Sequence, residues 1–200
     1  MIEGYIGIRT LALLGLLVLL VWAIIWPIWK LKQKPSLFWV ILLSGLIIGV
    51  GYFEAKWLIV QNQATRLTQE ISKNEKGYAV CQRFTPAFLD AQMSTLGFVA
   101  YSEGNKSNIK YAQCKKFGEF LETDKTQLTE EHVLAVGGVI HEALHVGGEY
   151  DEAVTQCLTM KQMPDVLKQY GVSEQNSVIY ADKYREMSKR MPPEYLNGSC

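Results

Sequence analysis

Residues 141–152 read HEALHVGGEYDE, and this stretch decides how the rest of the chain is organised. It opens with the pattern H-E-x-x-H. Two histidines four residues apart lie one above the other on a helix, so both imidazoles can bind one metal ion. Glu142 follows the first histidine, where a carboxylate can polarise a water molecule on that metal. The pattern therefore predicts a helix on which His141 and His145 hold a metal.

The residues upstream predict the start of this helix. Thr129 suits the N-cap position, and Glu130 and Glu131 complement the positive end of the helix dipole. Gly137 and Gly138 would weaken an isolated helix. We therefore expect these glycines to allow the close approach of a neighbouring backbone.

A third protein ligand has to come from the chain after the helix. If the helix ran straight on, Glu152 would lie about 10 Å beyond His145, at about 1.5 Å per residue. The helix is therefore expected to stop at Gly147–Gly148, after which the chain turns back toward the metal. Either Asp151 or Glu152 could then reach the ion. No helix breaker follows before Pro164, which favours a second helix and Glu152 as the ligand, with Asp151 as the alternative.

Residues 130–157 resemble the zincin metallopeptidases. Metzincins read HExxHxxGxxH, sometimes with an aspartate last, at the position of Asp151 here. Gluzincins take a glutamate from a second helix within an E-A-x-S/T-D pattern, to which EAVTQ at 152–156 is similar. The gap after His145 is much shorter than in most gluzincins. The stretch also resembles small bacterial membrane-anchored HExxH proteins that carry a Glu-Ala pair and a cysteine soon after the motif.

The resemblance implies a hydrolase that uses Zn²⁺ to cleave a peptide or protein substrate. His141, His145 and Glu152, or Asp151 in its place, would bind the zinc and leave one position open for water. Glu142 would be the general base. The alternative is a non-catalytic zincin-like envelope protein that binds a peptide or protein partner, because the same helix would be present in both.

Other side chains near the motif have narrower predicted roles. Gln156 is expected to orient a ligand imidazole. An oxyanion could be stabilised by a tyrosine hydroxyl, for which the candidates are Tyr150, Tyr180, Tyr184 and Tyr195. His132 lies nine residues before His141, on the opposite side of the helix, and is not expected to bind the metal.

Two uncharged apolar runs precede this domain, Thr10–Trp29 and Ser36–Phe53. The first is long enough to cross a bilayer, and the second would be about 27 Å long as a helix. The link between them carries Lys30, Lys32 and Lys34, which the positive-inside tendency places in the cytoplasm. We therefore predict a cell-membrane protein with two spans and an extracytoplasmic C-terminal domain.

The four cysteines all follow the second run. An even number in an oxidising compartment predicts two disulfides, for which the sequence allows three pairings. We favour Cys157 with Cys200, because the short C-terminal tail otherwise has nothing to hold it. That choice leaves Cys81 with Cys114.

These segments together predict an α+β protein. Residues 1–60 would be a two-helix transmembrane anchor, 61–80 a stalk, and 81–200 a small, mainly helical zincin-like domain. A β-hairpin is expected from strands over 96–101 and 108–113. Further helices are expected over 151–163, 164–170 and 173–191. The formal net charge is zero, which gives no indication of a nucleic-acid partner.

Overall fold

The protein is described here from a computed structural model. The structure describes residues 8–30, 34–82, 97–99, 104–191 and 193–195. The chain divides into two compact units, Met1–Ile59 and Val60–Cys200, which are treated separately.

The first unit contains helix α1 (Ile8–Lys30) and the first part of helix α2 (Leu37–Ser72). Both helices are long and apolar enough to cross a membrane. Their large apolar side chains are exposed, among them Trp22, Ile25, Ile41 and Ile48. So much apolar surface would be unfavourable in water, at about 25 cal/mol per Å². The two helices are therefore consistent with membrane anchoring.

A polar contact shows the relative direction of these two helices. The Thr10 hydroxyl donates to the Glu54 carboxylate at 2.7 Å. Thr10 lies at the start of α1, and Glu54 follows the apolar part of α2. The helices therefore run antiparallel, and the short link connects their other ends.

Helix α2 continues unbroken to Ser72, so its last residues belong to the second unit. Gln61, Ala64, Leu67 and Thr68 are buried at helical spacing on one face. These four residues form one buried stripe, so the helical part of the segment expected to be a stalk, 61–80, packs within the second unit.

The second unit contains a three-stranded sheet in the order β1-β3-β2. The strands are β1 (Tyr78–Cys81), β2 (Gly97–Val99) and β3 (Lys106–Ile109). Strands β2 and β3 are antiparallel, as expected for the hairpin, whereas the parallel pairing of β1 with β3 was not predicted. The strand predicted over 108–113 was wrong after Ile109, because a helix begins at Tyr111. The sequence over 82–92, with Phe84, Phe88 and Leu89, also predicts a short helix, which falls almost entirely outside the described residues.

The described residues of this unit also form the helices α3 (Tyr111–Glu122), α4 (Glu130–Val146), α5 (Glu152–Gln169) and α6 (Glu174–Ser188). A 3-10 turn follows at Pro193–Tyr195. Helix α4 is central, because it packs against all three of the other helices and against β2 and β3. Its residues are accordingly buried almost from end to end.

A disulfide joins Cys81 at the end of β1 to Cys114 in α3, as predicted. Cys157 is also disulfide-bonded. Its predicted pairing with Cys200 lies outside the described residues.

The predicted helix end at Pro164 was wrong. Helix α5 continues through this proline to Gln169. A proline inside a helix costs about 3 kcal/mol. Met163, Val166 and Leu167 are buried around it, and each such side chain gains roughly 1.5–3 kcal/mol on burial. Packing of the continued helix therefore outweighs the lost hydrogen bond.

Candidate metal centre

Helix α4 begins at its predicted N-cap, Thr129, which the structure shows to be part of a capping box. The Thr129 side chain accepts a hydrogen bond from the backbone N–H of His132 at 3.3 Å. The Thr129 N–H in turn donates to His132 Nδ1 at 3.2 Å. His132 therefore closes the first turn of the helix, away from the two histidines of the motif.

Gly137 lies one helical turn before the motif and gives room to Tyr184 of α6. A Cβ atom added at Gly137 would overlap the ring carbons of Tyr184. The close neighbour is thus an aromatic ring, and the expectation of a neighbouring backbone was wrong for this glycine. The Tyr184 side chain is completely buried against α4. This contact holds α6 against the helix that carries His141.

The end of α4 is a Schellman motif at the predicted glycines. The Gly148 N–H donates to the His145 carbonyl at 3.0 Å, and the Glu149 N–H to the Leu144 carbonyl at 3.2 Å. Gly148 has φ +95, which glycine adopts without steric cost. These bonds reverse the chain directly after His145.

The reversal gives the next two carboxylates different positions. Asp151 is the N-cap of α5, and its Oδ1 accepts from the N–H groups of Ala153 and Val154, each at 2.9 Å. Glu152 is the first residue of the helix, and its carboxylate faces the two histidines. The cap therefore occupies Asp151 and directs Glu152 inward.

Three potential ligand atoms converge at this point. The His141 and His145 Nε2 atoms are 3.1 Å apart. Glu152 Oε2 lies 2.9 Å from His141 Nε2, and Glu152 Oε1 lies 3.4 Å from His145 Nε2. Ligands at about 2.0–2.1 Å from a tetrahedral zinc would be about 3.3–3.4 Å apart. These three residues fit a metal ion of that size, and the group could hold one.

The hydrogen bond on the far side of His145 favours the same arrangement. Its Nδ1 lies 2.6 Å from the backbone carbonyl of Glu149. A carbonyl only accepts, so this nitrogen carries the proton. The tautomer with its proton on Nδ1 has the lone pair of Nε2 directed toward His141 and Glu152, as metal binding through Nε2 requires.

The two glutamates of the site differ in burial and charge. Glu142 is only 4% exposed, and its Oε2 has no hydrogen-bond partner among the described residues. Burial, followed by the nearby charge of Glu152, raises the pKa of Glu142 to about 8. The hydrogen bond with His141 is the main cause that lowers the pKa of Glu152. A dication would favour the ionised form of both.

The four candidate tyrosines have different surroundings in the structure. The Tyr195 ring lies beside His141, with 5.6 Å between the ring centroids. Tyr180 accepts a hydrogen bond from the Leu128 N–H, and Tyr184 is packed against Gly137. Tyr150 is half exposed. The structure thus brings Tyr195 to a candidate metal ligand.

Gln156 has a different environment from the one expected. Its Nε2 donates to the hydroxyls of Ser188 at 2.7 Å and Tyr184 at 3.2 Å, both on α6. This amide therefore joins α5 to α6. The contact that orients an imidazole is instead the Glu149 carbonyl, a backbone atom that no residue pattern marks directly.

Comparisons with protein-family models, with curated proteins and with solved structures find no match for this chain. The interpretation of the site therefore depends on its own geometry.

Proposed function

We propose that this chain is a membrane-anchored, zinc-dependent peptidase. The observation that carries the proposal is the convergence of His141, His145 and Glu152 within ligand distance, beside a buried glutamate. Two imidazoles and one carboxylate form a ligand set typical of catalytic zinc, which keeps one position open. Bound zinc would supply a Lewis acid and a water molecule with a pKa near 7.

Glu142 is the proposed general base. Its carboxyl follows the first ligand in the sequence and lies close enough to Glu152 for that charge to raise its pKa. It would take a proton from the attacking water and return that proton to the leaving amine. Because its Oε2 has no partner among the described residues, the group is available for this exchange.

Tyr195 is the proposed electrophilic donor. Its ring lies beside His141, on the short turn that follows α6. A phenol at this position could donate to the oxyanion that forms when a peptide carbonyl is attacked. Its loss should lower kcat more than it raises KM, because the oxyanion exists only after the attack has begun.

The site can be tested with the full chain in detergent. The purified protein should hold close to one zinc per chain by elemental analysis and cleave members of a mixed peptide library. We expect His141→Ala to lose both properties, and Glu142→Gln to keep the metal but lose hydrolysis. His132→Ala is the matched control, since it removes a buried histidine of the same helix outside the metal site.

Three outcomes would distinguish the alternatives. Equal zinc content in the wild type and His141→Ala would refute the metal site. Unchanged hydrolysis by Glu142→Gln would refute the role of the base. Zinc binding without cleavage of any library peptide would favour the non-catalytic, partner-binding protein instead.

We also propose that the domain faces away from the cytoplasm. Cys81, Cys114 and Cys157 are all disulfide-bonded, which is typical of an oxidising compartment. The lysines between the two apolar helices agree with this orientation. A periplasm-dependent reporter fused after Cys200 should be active, whereas the same reporter inserted beside Lys34 should be inactive. The reverse pattern would overturn the orientation.

A further inference from the structure

A cavity of about 420 Å³ lies between the two apolar helices, at the end where the short link joins them. Its lining includes Trp22, Ala23, Trp26 and Pro27 on one side and Ser36 and Trp39 on the other. We call this cavity the tryptophan groove. All of its lining residues belong to the first compact unit and are distant in sequence from the metal ligands.

Each helix contributes one continuous face to the groove. On α1, Leu19, Trp22, Ala23 and Trp26 follow the spacing of a single helical face. The Trp22 and Trp26 rings stack with their centroids 5.6 Å apart. Hydrocarbon and indole surface forms nearly all of the wall, so the groove suits an apolar guest.

The position of the groove argues for a hydrocarbon chain as its occupant. The groove lies between two helices that are long and apolar enough to cross a membrane, and its wall is almost entirely apolar. A bilayer around these helices would supply lipid acyl chains at high concentration.

The charges near the groove indicate which lipid it would select. The sequence between Thr10 and Phe53 contains three lysines and no acidic residue. Lys30 is one helical turn beyond Pro27, and Lys34 is two residues before Ser36, so both flank the same end of the groove. Clustered lysines at the end of a membrane helix attract anionic headgroups.

We propose that the tryptophan groove binds one acyl chain of an anionic phospholipid, whose phosphate is held by Lys30 and Lys34. This inference needs the two helices to lie in a bilayer, but it does not depend on metal binding or catalysis. The lipid would be a bound component of the anchor, distinct from the exchanging lipids around it.

Native mass spectrometry of the full chain tests this proposal. The protein would be equilibrated in detergent with equal amounts of phosphatidylglycerol and phosphatidylcholine that have identical acyl chains. We expect one phosphatidylglycerol retained per chain, with a preference of roughly fivefold or more over phosphatidylcholine. The double substitution Lys30→Gln with Lys34→Gln should remove the preference while leaving retention of the neutral lipid unchanged.

A second pair of variants tests the groove itself. Ala23→Phe places a ring inside the groove and should reduce retention of both lipids, whereas Val21→Phe, on an exposed position outside it, should not. Equal retention by Ala23→Phe and Val21→Phe, or no headgroup preference in the wild type, would overturn the proposal. A dimer whose formation displaces the lipid and is abolished by Ala23→Phe would identify the groove as a protein interface instead.

Discussion

The candidate metal centre is assembled from two kinds of structure. His141 and Glu142 lie within α4 and His145 lies in its last turn, and all three side chains are buried. Glu152 is the first residue of α5, directly after the turn that ends α4, and its side chain is 39% exposed. Packing within the domain holds the two histidines of α4 in place. The position of Glu152 depends instead on hydrogen bonds of the turn between the two helices and of the Asp151 cap. The two regions should therefore fail in different ways when altered.

The largest expected effect is on metal affinity, when the ligand from the turn is removed. Glu152→Ala should weaken zinc binding by more than the roughly 10–100-fold typical of residues that only support a ligand. Asp151→Ala should weaken it less, because this side chain caps α5 and acts only through the position of Glu152. Competition with a fluorescent zinc chelator measures both variants. The reverse order would reassign the third ligand to Asp151.

The next effect is on stability, when the interior of α4 is overfilled. Gly137→Ala should lower the free energy of unfolding by about 3 kcal/mol or more, because the new methyl group would overlap the fixed Tyr184 ring. Thermal or denaturant unfolding of the full chain measures this loss.

A double-mutant cycle gives the control for this clash. The cost of Gly137→Ala should fall sharply in a Tyr184→Ala background, because the ring that it meets is then absent. An equal loss of stability in both backgrounds would show that the effect of Gly137→Ala does not come from the Tyr184 ring.

A smaller effect is expected when the turn is strained. Gly148→Ala forces an alanine to φ +95 and should cost about 1 kcal/mol in stability. It should also weaken zinc binding, since the turn positions both the Glu149 carbonyl and Glu152. Gly171→Ala is the matched control, because Gly171 has φ +87 after α5, away from the metal ligands. Similar zinc affinities for Gly148→Ala and Gly171→Ala would show that the turn at Gly148 does not position the metal ligands.

The smallest effect is expected from the cap of α5. Asp151→Ala should lower the free energy of unfolding by about 1 kcal/mol, and Asp151→Asn should recover most of it, because asparagine also caps helices well. Chemical unfolding without metal measures the cap alone. If Asp151→Asn is as unstable as Asp151→Ala, the carboxylate has a role that capping does not explain.

The sequence predicted the features that depend on neighbouring residues. The bounds of α4 follow from local signals, namely the cap at Thr129 and the glycines at its end. The short distance to Glu152 also limited the third ligand to two adjacent residues. Each of these inferences depends on residues within one or two helical turns of each other, where propensity and geometry act directly.

The features that the sequence missed or predicted wrongly depend on residues far apart in the chain. The parallel pairing of β1 with β3 joins segments separated by β2, and no local pattern specifies it. Helix α5 passes through Pro164 because distant elements bury the residues around it. The partner of Gly137 is likewise a ring on α6, so the sequence indicated that something approaches this glycine but not what it is.

The bond between Cys81 and Cys114 has a consequence for the biosynthesis of the protein. The cysteines are 33 residues apart, and the loop that they close contains β2 and β3. Closing a loop of this length lowers the conformational entropy of the unfolded chain, which stabilises the folded domain by about 4 kcal/mol. That is a large share of the roughly 5–15 kcal/mol that stabilises a typical domain. A newly made chain with reduced thiols would lack this contribution, so the domain would reach its full stability only after Cys81 and Cys114 are oxidised.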